Sequence, residues 1–504
     1  MITHITAIIL RLLRTSEDLR TDQRGAVIMM VGLGLFMLIG ATGIAIDMSR
    51  LQTSRAKLAS ALDAAGLAAG SKINSRETIL VVNNYLDANF PAGFMDTTIT
   101  NVNVTVSRDK SILDLNVTAN VRMKFMQIFG QEYVTIAASS QITRENKGLE
   151  LVMVLDVTGS MYGSKIGDLR TAATDMVDIL YGQKETVDNL WIGVVPYVTT
   201  VNVGSDKISW LRDYDESRYP RRYPNGATKW KGCVEARNQW PENNGLDTTD
   251  TLPYTGDKAA ATAEQLTTAF PMYFWEDEVD NDWIDRRNRV TINEDAGYSN
   301  EGGLGPNVAC GNEITPFTSN KATVQGAIDA LTPWRRGGTM SSMGLAWGWR
   351  LMSPSWRGMW GHEDARLPLD YNTPLMSKAV IIMTDGVNEV YRQNSLGGPG
   401  GSDYMAYGRI EEEKLGNNIN TRNEGVGVVN AKFATICNNM KAQGIVIYTV
   451  TFQLNNSSNA NNARDLFRNC ASHADYYFDS PDGATLRQSF KTIGDSLANL
   501  MISQ

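Results

Sequence analysis

Three short clusters in this chain carry oxygen donors at spacings that could hold a cation. Asp156-Val157-Thr158-Gly159-Ser160 follows the apolar run Leu151–Leu155, Thr384-Asp385-Gly386 follows the apolar run Ala379–Met383, and between them lies Arg336-Gly337-Gly338-Thr339. In an open α/β sheet, ligands bind beyond the carboxyl ends of the strands at a switch point. Asp156 and Asp385 stand at such ends, and Thr339 sits in a glycine-loosened loop that can approach them. Two carboxylates and three hydroxyls suit a hard cation. Mg²⁺ takes about six oxygens near 2.1 Å and keeps waters readily, with Mn²⁺ or Ca²⁺ as alternatives. The five donors leave a position open for an acidic side chain from a protein partner. His and Cys are absent from the cluster, which argues against zinc.

Blander roles compete. Any one of these residues could simply cap a helix; three clusters in order at strand ends favour metal. Gly159–Lys165, GSMYGSK, fails the phosphate-loop spacing, with three residues between its glycines and Ser164 before Lys165. The three histidines, His4, His362 and His473, form no recognisable triad, so the chain is not expected to be an enzyme. Glu276–Asp285 lacks the glycine and terminal glutamate of a calcium loop and reads as a solvated acidic loop.

The elements that must position the clusters alternate. Amphipathic helices are expected over Lys165–Leu180, Lys321–Leu331, Ser341–Met352, Val428–Lys441, Ala463–Ala471 and a C-terminal segment striped by Leu486, Phe490, Ile493, Leu497 and Leu500. Strands are expected at Leu151–Leu155, Trp191–Tyr197, Ala379–Met383, Ile445–Phe452 and Tyr476–Phe478. Apolar strands between such helices predict an α/β domain over 148–504, a doubly wound, mainly parallel sheet. Residues 203–318 interrupt the rhythm as a large insertion holding Trp210, Trp230, Trp240, Trp275 and Trp283, and 387–424 reads as a long loop. The insertion's tryptophans and tyrosines form either a small local core or a sugar- or protein-binding face.

The order DVTGSM, GGT, TDG on this pattern resembles the metal-ion-dependent adhesion site (MIDAS) of von Willebrand factor A domains. The resemblance covers 148–504 and implies metal ligation by Asp156, Thr158, Ser160, Thr339 and Asp385 and a role in adhesion. Thr158 departs from the family's serine, and its extra methyl crowds the site.

Upstream, Gly25–Ile46 is an uncharged run of 22 residues, long enough to cross a membrane. Residues 1–24 then form a tail, 47–70 a helical extension striped by Leu51, Leu58, Leu62, Ala65 and Ala69, and 71–147 a small α+β module. In that module a helix near Thr78–Ala88 precedes alternation at Val102, Val104, Val106 and Leu113, Leu115, Val117, a hairpin turning at Arg108-Asp109-Lys110, with a further strand at Tyr133–Ala138. Basic residues flank the apolar run almost equally, so charge leaves its direction open. QRGAVIMMVGLGLFMLIGATGIAIDMSRLQTSRAKLASALDAAGLAAG resembles the start of TadE/TadG-like proteins of the Flp (tight-adherence) pilus assembly group. The resemblance implies a bacterial inner-membrane protein with a cytoplasmic tail (1–24) and a periplasmic body, partnered by pilus-assembly or envelope components. Processed pilins carry Glu five residues after the cleavage glycine; Met30 holds that place, so prepilin cleavage is not expected.

The net charge of −8, with no basic stripe, argues against nucleic acid as a partner. All four cysteines follow residue 230. In an oxidising compartment they would pair, and sequence permits three pairings. Neighbouring elements favour Cys437 with Cys470 and Cys233 with Cys310. Two further roles stand beside metal-dependent adhesion: a structural scaffold in an envelope complex, and a glycan binder working through the aromatic insertion.

Overall fold

A computed structural model describes residues 24–70, 75–106, 112–143, 147–218, 229–237, 245–287, 289–294, 303–392 and 401–501. Residues 1–23, the turn 108–110, Trp240 and part of the 387–424 segment lie outside the described residues. The chain divides into two compact units, residues 1–145 and 146–503.

In the first unit, helix α1 (Arg24–Gly70) runs unbroken through the apolar segment and the extension. Helix α2 (Ser75–Asn89) follows, and then the antiparallel sheet β1-β2-β3 (Thr97–Val106, Ile112–Arg122, Tyr133–Thr143). Strand β2 alternates strictly, burying Leu113, Leu115, Val117, Ala119 and Val121 on one face. These pack with Leu58, Ala61, Leu62, Ala65 and Ala69 of α1 and with Val82 and Leu86 of α2. The stripe expected on the extension therefore has its partner within this chain, and residues 58–69 belong to the same core as the α+β module.

The second unit is built on a six-stranded sheet in the order β13-β12-β10-β4-β5-β8. Its strands are β4 (Gly148–Asp156), β5 (Leu190–Tyr197), β8 (Thr315–Thr318), β10 (Met376–Thr384), β12 (Val446–Phe452) and β13 (Tyr477–Ser480). Two-residue ladders join β6 (Val201–Asn202) to β7 (Cys233–Val234), and β9 (Gly338–Thr339) to β11 (Glu389–Val390). Every pairing in the large sheet is parallel except β8, which runs antiparallel to β5. Thr315–Thr318 thus belongs to the sheet, not to the insertion that was expected to reach residue 318. Helices α3 (Ser164–Tyr181), α5 (Lys321–Asp329) and α9 (Gly483–Met501) cover one face; α6 (Ser341–Met352), α7 (Arg422–Ala442) and α8 (Ser458–Cys470) cover the other. A short helix, α4 (Ala263–Thr268), lies in the insertion. Burial on both sides explains why β4 reads as a continuous apolar run: Val152 and Val154 enter one core, Leu151, Met153 and Leu155 the other.

The insertion shares the core of the sheet. Trp210 lies against Trp347, Trp356 and Trp360 at ring distances of 6.2, 5.3 and 5.1 Å, and Trp230, Trp275 and Trp283 are buried as well. Burial of these four rings removes them from any sugar-stacking face, which takes the described tryptophans of the insertion out of the glycan alternative. Glu276–Asp285 is solvated only in part, with Glu276, Asp277, Val279 and Asp282 exposed. Asp280 is buried between Arg336 and Arg409, and Arg409 also pairs with Glu278. Disulfides join Cys233 to Cys310 and Cys437 to Cys470, with Cα atoms 5.6 and 5.3 Å apart.

Candidate metal centre

Strands β4 and β10 are parallel neighbours with Leu155 beside Met383, so both chains emerge from the same sheet edge. From β4 the chain runs rightward to β5, and from β10 it runs leftward to β12 and β13; their boundary is therefore where the winding reverses. Asp156 is the last residue of β4, and Asp385 follows the last residue of β10.

The loop after β4 tightens at once. Val157 is held from both sides, its amide donating to the Tyr197 carbonyl (3.0 Å) and its carbonyl accepting from the Trp334 amide (2.8 Å). A single 3-10 turn, Gly159–Met161, then brings the hydroxyls around. The Thr158 and Ser160 hydroxyl oxygens are 2.9 Å apart, and Ser160 donates to Asp385 Oδ1 at 2.6 Å. Asp156 Oδ1 accepts from the Thr158 amide (2.9 Å), and its Oδ2 accepts from the Thr384 hydroxyl (2.8 Å). Lys165 Nζ, on the first turn of α3, donates to Asp385 Oδ2 at 2.7 Å.

Thr339 arrives by a different route. It is half of the ladder with Glu389–Val390, and its neighbour Gly338 has φ +95°. A Cβ at Gly338 would sit 1.9 Å from the Glu389 carbonyl oxygen, so only glycine permits this ladder. Thr339 then lines a cavity of about 190 Å³ together with Thr158, Ser160, Trp334, Glu389 and Tyr391. The structure thus links Asp156, Thr158, Ser160 and Asp385 through hydrogen bonds and puts Thr339 on the wall of the cavity that the two hydroxyl residues open into.

Electrostatically the site holds more negative charge than its dry setting favours. Asp156 is fully buried; burial, and then the charge of Asp385, push its carboxyl up to about 7. Tyr197, buried behind it, is raised well above the usual tyrosine value by burial and then by Asp156.

The donor set fits a hard cation on two observations. All the converging donors are oxygens. In an octahedron with bonds near 2.1 Å, adjacent oxygens lie about 3 Å apart, and the Thr158–Ser160 and Ser160–Asp385 separations are 2.9 and 2.6 Å. Among the described residues no group of three or more His, Cys, Asp or Glu is arranged to hold a metal; this constellation has two carboxylates and would draw its other donors from hydroxyls. Three residues at the site escaped the sequence reading. Thr384 ends the apolar strand and orients Asp156. Lys165, weighed there only as a nucleotide ligand, supplies a positive charge to Asp385. Glu389, an exposed residue whose carboxyl is raised by partial desolvation, lines the cavity through a ladder that sequence pattern does not reveal.

Distant likenesses to solved structures extend over most of the chain. The von Willebrand factor domain of the type V pili tip protein Mfa5 from Porphyromonas gingivalis aligns with TM-score 0.36 at 12% identity, over 71% of this chain and 98% of that one. The pilus adhesin SpaC from Lactobacillus rhamnosus GG aligns with TM-score 0.34 at 12% identity, over 80% of this chain and 34% of SpaC. A von Willebrand factor type A protein from Catenulispora acidiphila aligns with TM-score 0.28 at 12% identity, over 81% and 49% of the two chains. No curated protein sequence matches the chain. The Flp pilus-assembly TadE/G-like family model matches residues 25–72. The chain therefore carries a TadE/G-like N-terminal segment ahead of an α/β domain.

Proposed function

We propose that this chain is a membrane-anchored component of a pilus-assembly system whose α/β domain captures an acidic group of a partner protein through a divalent cation. The observation that carries the reading is the meeting, at the switch point of the sheet, of Asp156, Thr158, Ser160 and Asp385 beside a cavity lined by Thr339. These residues would hold Mg²⁺, with Mn²⁺ or Ca²⁺ as alternatives. Bound there, the cation would offset the charge of two buried carboxylates and present an electrophilic face to an incoming carboxylate. The protein's part is to fix the donors: Thr384 orients Asp156, and the Val157 contacts hold the turn. We read the site as one for binding rather than turnover, because its cavity is lined by hydroxyl and carboxylate oxygens with neither histidine nor cysteine among the described lining residues.

The TadE/G-like match supports the pilus setting, and Val27–Gly70 contains a stretch long and apolar enough to span a bilayer. Together they support a single-pass protein of the bacterial inner membrane with its C-terminal body in the periplasm, and the two disulfides suit that oxidising compartment. The second reading is structural, with the metal only stabilising an envelope scaffold. Replacing Asp385→Ala in the full chain separates the two. Loss of partner capture and piliation with the unfolding midpoint preserved supports adhesion. Unaltered capture with a lowered midpoint supports the scaffold and removes the adhesive role.

A further inference from the structure

Between Val27 and Ile46 helix α1 is exposed at nearly every position, and only Gly40 and Gly43 depart from this. One loop covers both: the turn Phe125–Gly130 between β2 and β3. A methyl placed on Gly43 would lie 2.8 Å from three atoms of the Phe125 side chain, and one on Gly40 would lie 3.7 Å from Phe129 Cζ. The loop therefore lies lengthwise along the apolar part of the helix, in a groove left open by two missing side chains.

Asp47, the first charged residue after the apolar run, fastens the loop there. It is fully buried; its Oδ1 accepts from the Lys124 amide (3.0 Å), and its Oδ2 accepts from the Phe125 and Met126 amides (2.8 Å each). Burial alone would raise this carboxyl, but the three amides and Arg50 hold it below the usual range. Gly43 and Gly40 precede Asp47 by four and seven residues. At the helical rise they lie about 6 and 10 Å further toward the apolar end. At that depth the loop turns outward Ile128, 73% exposed, and Phe129, 58% exposed. On the other side of Asp47 the chemistry reverses: Lys124 and Arg50 both pair with Asp96, at 3.0 and 2.7 Å.

We propose that the Phe125–Gly130 loop enters the lipid bilayer beside the last two turns of the apolar helix, giving the first unit a second membrane contact. Its occupant is the bilayer itself. The exposed Ile128 and Phe129 continue the apolar surface of α1, and polar, ion-paired residues begin within one residue of the loop. An aromatic and an aliphatic side chain at this depth match the apolar anchors that sit at the headgroup–acyl boundary. The three-amide clasp at Asp47 would then hold the β1-β2-β3 sheet at one fixed rotation about the helix. The inference rests on the reading of Gly25–Ile46 as a membrane anchor.

The test places single nitroxide labels in the full chain at Ile128→Cys, Leu35→Cys and Ser139→Cys, each reconstituted into vesicles of phosphatidylethanolamine and phosphatidylglycerol. Collisions with dissolved oxygen and with a water-soluble nickel chelate report the surroundings of each label. The label at 128 is expected to behave like that at 35, open to oxygen and shielded from nickel, with the label at 139 doing the opposite. A label at 128 that matches 139, while 35 stays shielded, overturns the loop contact and leaves the anchor standing. A nickel-accessible label at 35 overturns the anchor and the loop contact with it.

Discussion

Asp156 loses its solvent entirely and faces a second carboxylate, Asp385, with one ammonium, Lys165, to offset the pair. An arrangement with two negative charges and one positive favours any further cation that the oxygens can reach. The Asp–x–Thr–x–Ser spacing was legible because a strand end fixes where its next five residues can go. Lys165 was not legible in this role. It lies on the first turn of a helix whose sequence explains it equally well as an exposed residue, and its partner is 220 positions away. Lys165 and a metal ion compete for Asp385. Replacing Lys165→Met should therefore tighten Mn²⁺ binding by about two- to fivefold, the worth of a partly exposed ion pair. Calorimetric titration of the variant beside the parent checks this, and unchanged or weaker binding would mean that Lys165 does not compete.

At the scale of elements, the long strands and helices were readable from periodicity alone, because both faces of the sheet are covered and every helix needs one apolar stripe. Ser341–Met352 falls where the pattern places it, although it is buried at every residue rather than along one stripe. Strand β8 was missed because four residues with Pro316 among them carry no alternation to detect. The burial of Asp280 was missed for a different reason: its partners Arg336 and Arg409 lie 56 and 129 positions away, so locally the segment shows only acidic residues. These pairs tie the insertion to the segment that carries Thr339, since Arg336 stands three residues before it, stacked 4.3 Å from Trp275 and bonded to Asp403. Removing one partner of a buried charge network leaves the others uncompensated. Asp280→Ala should accordingly cost about 3 to 5 kcal/mol in denaturant unfolding of the folded protein, and a loss below 1 kcal/mol, about the worth of a surface pair, would contradict the network.

The edge by β8 carries a second element-scale consequence. His362 packs 5.5 Å from the Phe317 ring, and burial lowers its imidazole to about 4 from the ordinary 6.5. The folded value lies below the unfolded one, so the unfolded chain binds the proton first as pH falls. The contribution of neutral His362 is complete above pH 6.5 and is lost as pH falls from there through about 4. His362→Phe keeps a ring beside Phe317 and cannot charge. Thermal unfolding should then show the variant gaining on the parent as pH drops through that window, and a pH-independent difference would refute this.

On the scale of the whole molecule, the 47-residue helix α1 forms nearly all of the TadE/G-like segment and packs on a compact sheet, and a separate α/β unit carries the oxygen constellation. The apolar run was plain in the sequence, while the near-equal charges around it left its direction to family resemblance. What sequence could not supply was the shared core of residues 58–69 with β2, which depends on contacts across half of the first unit. The claim on which the functional reading turns is that the clusters after β4 and β10, with Thr339, form one cation site. Titration of the full chain with Mg²⁺ and Mn²⁺ by calorimetry, alongside Asp156→Ala, tests it most directly. Saturable binding to the parent that disappears in a folded Asp156→Ala variant is the predicted result; a well-folded parent that binds neither ion would contradict it.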